Sequence, residues 1–404
     1  MTQSRSPASS SAAPPQAAAE GPALIDCSLR ELAEYFLRLG TFGFGGPIAL
    51  AGYMQRDLVE RRRWISKQDY MEGLALAQLA PGPLAAQLAI YIGWVRGRVL
   101  GATLIGIAFV IPSFLMVLAL AALYLRYGGL PWMQGAFYGI GAAFIAIIAR
   151  SAVKLVQMTL AGDRLLWALF AISAGLTAWT ESEIAWVFLA SGILAMLLRA
   201  PPKLTSTPMA LGLIPASLLS GLHGPASAAT LWKIAWYFTE AGAFVFGSGL
   251  AIVPFLHGGV VERFGWLDER QFLDAVAVAM ITPGPVVITV AFIGYLVAGF
   301  AGATVAALGT FLPCYLLTVL PAPYFRRFAQ NRSIKAFVDG VTAAATGAIA
   351  GASFVLGKRA VFDLPTALIC LVTLAVIFKL KKAPEPLVIA AAGVVGIIVR
   401  AVAE

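Results

Sequence analysis

Charge is scarce in this chain. Asp, Glu, Lys and Arg make up only 12% of its 404 residues, about half the share of an ordinary soluble domain. Histidine occurs twice and cysteine three times. Cys27, Cys314 and Cys370 are too few and too scattered for a disulfide framework. No CxxC, HExxH or HxxxH spacing is present to hold a metal, so no metal and no cofactor are expected. No nucleophile–base set stands out either, which argues against an enzyme. The stretch Gly351–Arg359 imitates a phosphate loop but has the wrong spacing and ends in Arg rather than Ser or Thr.

What is abundant is apolar. Hydrophobic residues reach 60%, too much for disorder and enough for several membrane spans of about 20 residues each. The reading is an all-α polytopic protein of the inner cell membrane, with the lipid bilayer as its first partner. The net charge of +9 fits Lys and Arg collected on cytoplasmic loops, and nucleic acid is not an expected partner. Residues 1–29, rich in Ser, Ala and Pro, lack the apolar core of a signal peptide. They read as a disordered cytoplasmic tail.

The chain is written twice. Tyr35-Phe36, Gly40, Phe42, Phe44 and Gly45 recur 202 residues later as Tyr237-Phe238, Gly242, Phe244, Phe246 and Gly247. The same offset carries Val59-Glu60-Arg61 and Trp64 onto Val261-Glu262-Arg263 and Trp266, and Pro81-Gly82-Pro83 onto Pro283-Gly284-Pro285. After one deletion Gly101-Ala102-Thr103 meets Gly302-Ala303-Thr304. Expected domains are residues 30–200 and 231–404, joined over 201–230 by a connector with a linking span.

Continuous spans are predicted near 99–125, 132–150, 165–180 and 184–199, then 299–320, 336–356, 364–378 and 386–402. Each half begins differently. Segment 36–54 is interrupted by glycines and Pro47, and segment 73–93 by Pro81-Gly82-Pro83. Proline removes a backbone donor and stops a regular helix, and such backbone survives at membrane depth only inside protein or beside a wet cavity. Both segments are therefore predicted to be re-entrant hairpins of half-helices. On that topology 22 of the 29 Lys and Arg lie inside. The loop at 55–72 is basic, whereas its copy at 257–272 carries more acids than bases. An inverted-topology repeat predicts that contrast.

Broken helices expose backbone N–H groups that bind anions without a cationic side chain. The candidate substrate residues are Gly45, Gly46, Pro47, Gln78, Pro81, Gly82, Pro83 and Gln87 in the first half. In the second they are Gly247, Ser248, Gly249, Thr282, Pro283, Gly284 and Pro285. Arg61 is added because a guanidinium fork binds two oxygens of an oxyanion at once; a structural ion pair explains it equally well. Acidic residues in or beside apolar stretches are candidates for ion coupling, namely Glu60, Glu72, Asp274 and Asp339.

Gly43-Phe44-Gly45-Gly46-Pro47, Val59-Glu60-Arg61-Arg62-Arg63-Trp64-Ile65 and Pro81-Gly82-Pro83, with their second copy, resemble the chromate ion transporter family. The resemblance covers nearly the whole chain from about residue 30. It implies a two-domain transporter that expels chromate using the proton-motive force. Leu50 stands where the family often has His, and Leu84-Ala85 where it often has Asn-Ser. Sulfate shares chromate's shape, and a site of N–H dipoles alone separates the two poorly, so a sulfate or other small-anion transporter or exchanger is the main alternative. A membrane enzyme and a non-transporting subunit are the remaining ones. The sequence allows a homodimer and does not require it.

Overall fold

The computed structural model describes residues 24–44, 46–127, 131–160, 162–180, 185–200, 227–244, 252–325, 331–361, 363–379 and 385–403. The expected tail over 1–23 and the core of the connector, 201–226, lie outside the described residues. Among those described there are helices and turns but no strand.

The first half runs through α1 (Leu29–Phe42), α2 (Gly46–Met54), a π-helical turn (Gln55–Arg61), α3 (Lys67–Leu79), α4 (Leu84–Tyr127), α5 (Pro131–Thr159), α6 (Arg164–Thr180) and α7 (Ala185–Arg199). The second half repeats it element for element. It comprises α8 (Ala228–Phe244), α9 (Ile252–His257), a π-helical turn (Gly258–Arg263), α10 (Glu269–Ile281), α11 (Thr289–Val319), α12 (Arg332–Ala360), α13 (Leu364–Lys379) and α14 (Glu385–Ala403). Even the unusual backbone repeats. Positive φ occurs at Arg63 and Gly265, at Gly82 and Gly284, and at Arg98 and Gly299, each pair one repeat apart.

The first helices of each half fold back on themselves. Ser28 caps α1 by accepting from Glu31 N–H, and the helix stops at Gly43, where Gly46 and Pro47 open α2. In the second half the Tyr237 hydroxyl on α8 donates to Phe255 O on α9, 2.7 Å away, which sets the two limbs side by side. Ser66 caps α3, and the helix ends at the Pro81-Gly82-Pro83 bend. A Cβ on Gly73 would run into the Tyr91 ring, so the start of α4 returns along α3. At Gly97 and Arg98 α4 leaves helical geometry. A Cβ on Gly93 would then lie 2.9 Å from Ile105 Cβ, so 84–96 and 99–127 form a second tight hairpin. Ala298 and Gly299 divide α11 in the same way.

Lengths decide what can cross. α3 has 13 residues and reaches about 20 Å at 1.5 Å per residue, short of a hydrocarbon core of about 30 Å. Segment 99–127 reaches about 43 Å and spans it. Four described stretches, Leu84–Tyr127, Trp132–Arg150, Val286–Tyr324 and Arg332–Val355, are long and apolar enough to cross a membrane.

The halves are inverted. The Thr103 and Tyr315 hydroxyls lie 2.7 Å apart where α4 meets α11. Tyr315 is the repeat equivalent of Phe114, so this contact joins levels eleven residues, about 16 Å, apart in the repeat. Parallel helices about a two-fold axis meet at equivalent levels; antiparallel ones meet with levels exchanged. The axis is therefore perpendicular to the spans and lies in the membrane plane.

The later helices are exchanged between halves. α5 packs on α13 and α14, and α12 packs on α6 and α7. Small residues line these seams, as is common between membrane helices. A Cβ on Gly139 would lie 2.9 Å from Gly396 Cα, and one on its equivalent Gly340 would lie 3.1 Å from Gly192 Cα.

Candidate functional site

Each hairpin tip is seated on the long helix of the opposite half, α11 or α4. Pro81-Gly82-Pro83 belongs to the first half, and a Cβ on Gly82 would lie 3.1 Å from Cys314 Cβ on α11. Pro283-Gly284-Pro285 belongs to the second half, and a Cβ on Gly284 would lie 3.0 Å from Ser113 Cβ on α4. Ser113 and Cys314 are repeat equivalents and both are fully buried. Each bend is thus seated on the matching point of the opposite half. Gly284 N–H donates to Gly43 O at 3.0 Å, which brings the tip of the α1–α2 hairpin to the same place. Ser113 Oγ leans toward Gly40 O, 3.4 Å away. Glycine is required at both bends, since φ is +137° at Gly82 and +98° at Gly284, conformations that L side chains rarely adopt.

The two bends are lined differently. In the first, Gln87 is fully buried and its Nε2 donates to Pro81 O at 2.7 Å and Ala80 O at 3.3 Å. Its Oε1 has no partner among the described residues. The second half has no glutamine between its bend and Gly294; across the one-residue deletion the equivalent place falls at Ile288 or Thr289. There Thr282 is buried and its hydroxyl donates to Val278 O within its own helix at 2.6 Å, and its equivalent in the first half is Ala80. Pro83, Pro283 and Pro285 are buried and Pro81 is half-buried, whereas Gln78 is exposed. Gly46 and Pro47 start α2 beside the tip. Gly45, Gly247, Ser248 and Gly249 lie outside the described residues.

Arg61 does not join the tips. It is exposed at the base of the first hairpin, on the π-helical turn, and pairs with Asp57 at 3.4 Å. Glu60 beside it is exposed and accepts from Gln55 Nε2 at 3.3 Å. Arg62 lies over the Trp64 and Tyr35 rings, 4.5 and 5.5 Å from their centroids.

The acidic candidates separate by burial. Glu72 is half-buried, accepting from Gln68 Nε2 at 3.0 Å and from the Tyr91 hydroxyl at 3.4 Å. Its equivalent Asp274 is 2% exposed and accepts from the hydroxyl of Tyr124, on the opposite half, at 2.7 Å. Asp339 faces Arg199 Nη1 at 3.8 Å, and Arg199 also pairs with Asp163. That cluster joins α12 to α6 and α7, away from the tips. Tyr138 and Asp363, 2.5 Å apart, occupy the equivalent place in the other half. Sequence reasoning missed Tyr124, Ser113 and Cys314, which lie far along the chain from the residues they touch. Among the described residues no group of His, Cys, Asp and Glu could hold a metal ion.

Known proteins supply the name of this architecture. A family profile described as "Chromate transporter" matches residues 30–196 and again 232–397. A chromate transport protein of Cupriavidus metallidurans is 61% identical over 92% of this chain and 93% of its own length. A probable chromate transport protein of Synechococcus elongatus is 58% identical over 92% and 95%. A chromate transport protein of Pseudomonas aeruginosa is 31% identical over 82% of each chain. No solved structure matches. The relatives are transport proteins rather than enzymes, and this two-fold repeat of broken helices is integral to the membrane: the chain belongs to the chromate transporter family.

Proposed function

We propose that this protein exports chromate from the cytoplasm, with the converging hairpin tips as its binding site. The observation that carries the reading is that each Pro-Gly-Pro bend is seated on the long helix of the opposite half, with Gly43 bonded to Gly284 at the second. Half-helices ending within the bilayer direct backbone dipoles at that point, and α2 and α4 begin there with their positive ends. An oxyanion is held by such groups without a buried cation. Family membership and the names of the relatives supply chromate as the cargo.

Export follows from energetics. A dianion leaving a cell whose interior is negative gains about 2 × 2.3 kcal/mol per ~100 mV, so the electrical part of the proton-motive force supports efflux. We assign proton coupling to Asp274. It is buried in α10, the helix that leads into the second bend, and its described hydrogen-bond partner, Tyr124, comes from the other half, so a change in its protonation acts on the contact between halves. The test is flux of radiolabelled chromate into inverted vesicles, with sulfate as competitor. Uptake that depends on the potential and falls with an uncoupler supports the reading. Absence of chromate flux while another anion moves refutes it.

A further inference from the structure

A groove follows the seam between the halves, where α4 packs on α11. It encloses about 480 Å³ and its lining is almost wholly apolar. Its walls are repeat equivalents, with Thr103, Ile107 and Phe114 on one side and Thr304, Leu308 and Tyr315 on the other. Thr103 and Phe114 stand eleven residues apart, so the groove is about 16 Å long. Ile107 is 55% exposed and Leu308 64%, and both belong to stretches long and apolar enough to cross a membrane. The groove therefore opens toward hydrocarbon. Ser113 and Cys314, on which the two bends are seated, lie on the same two helices, so its occupant wedges the helices that carry the bends.

A second copy of the chain fits this face poorly. A two-fold contact sets the same patch against itself, and a groove laid on a groove doubles the void and forfeits dispersion contacts. A flexible acyl chain fills it. The ends of the groove say which lipid carries that chain. At one end the Tyr315 and Thr103 hydroxyls lie 2.7 Å apart, and Thr103 donates to Val99 O at 2.8 Å, beside the reversal at Gly97-Arg98. Trp94 follows Ile90, another lining residue, by one helical turn. Arg98 is exposed and lies over the Trp94 ring, 4.7 Å from its centroid. It makes no ion pair among the described residues, whereas nearby Arg96 is taken by Asp26. The opposite end has Phe114 in place of Tyr315, and Gly299 and Tyr295 in place of Arg98 and Trp94. One end alone is cationic, on the side that the basic loops assign to the cytoplasm. We propose that the groove holds an acyl chain of an anionic phospholipid of the cytoplasmic leaflet, with the headgroup phosphate at Arg98.

The test uses the full chain, purified in detergent, delipidated and given equal amounts of phosphatidylglycerol and phosphatidylcholine with the same acyl chains. Lipid retained per molecule is counted by native mass spectrometry. One cation at an anionic headgroup is expected to give about a fivefold preference for phosphatidylglycerol. Arg98→Gly removes the charge and suits the positive φ of that position, so it should fold and retain the two lipids equally. Ile107→Trp enlarges an exposed wall residue and should lower retention of both. Equal retention by the wild type, a preference that survives Arg98→Gly, or undiminished retention in Ile107→Trp each overturns the proposal. A lipid-free wild-type dimer that Ile107→Trp dissociates also overturns it, and gives the groove to a second copy. Chromate is absent throughout, so the outcome stands apart from the export reading.

Discussion

Gly82→Ala adds a single methyl group at the first bend, and the structure sets its cost. Non-glycine residues held in sparsely populated backbone regions cost of order 1–3 kcal/mol, and φ here is +137°. The new Cβ would stand 2.8 Å from Gln87 Nε2 and 3.1 Å from Cys314 Cβ. The second neighbour sits on a packed helix, so the amide is the one to yield, losing its bond to Pro81 O for about 1 kcal/mol more. A loss of about 2–4 kcal/mol is expected, within a typical stability of about 5–15, so the protein should insert and purify. Its thermal inactivation in detergent should nonetheless be faster, and chromate flux per monodisperse molecule should collapse because the bend is displaced. Gln87→Ala separates the two parts. In that background Gly82→Ala should lose only the backbone strain, giving a coupling of about 1 kcal/mol in a double-mutant cycle. Unchanged stability in Gly82→Ala, or strict additivity in the double variant, would refute a bend clasped by Gln87.

Single cysteines in the loop at 55–72 should resist an impermeant thiol reagent in intact cells, and those at 257–272 should label. Equal labelling of both loops would remove the inverted topology. Arg62→Gln, which takes a cation off the Trp64 and Tyr35 rings, should lower the inserted fraction measured by the same labelling and leave flux per folded molecule within about twofold, as expected of a topogenic charge. Asp274→Asn should abolish the response of flux to a pH gradient at clamped potential, whereas Asp339→Asn, in a partly exposed pair worth under about 1 kcal/mol, should leave it intact. The reverse pattern would move coupling to the α12 cluster.

Much of this fold was legible because it is local. The repeat offset sets α3 over α10 and α5 over α12 residue for residue, and proline and glycine mark the two bends. The predicted spans fall on α4 through α7 and their copies. Gly40 proved to lie within α1, where it packs on Phe109, rather than at a break. The sharp reversal at Gly97-Arg98 was less visible because Arg98 carries the positive φ. The equivalent Gly299 is the signal that marks it, as Gly265 marks Arg63. The exchange of helices between halves leaves no periodicity, since which apolar face meets which is decided by shape across more than a hundred residues. For the same reason burial distinguishes Asp274 from Glu72, although the sequence presents them as a matched pair.

The exchange of later helices also constrains how the protein is made. α5 packs chiefly on helices of the second half, α10, α12, α13 and α14, and its Gly135 and Gly139 fit against Ile397 and Gly396 near the end of the chain. At about 5–20 residues per second, the ribosome needs roughly 10–40 s more to deliver them after the first half is complete. During that interval the first half waits in the bilayer with its glycine seam facing lipid. A membrane chaperone would find its opportunity there, and a chain cut at the connector would have to assemble from two pieces, neither of which can finish folding alone.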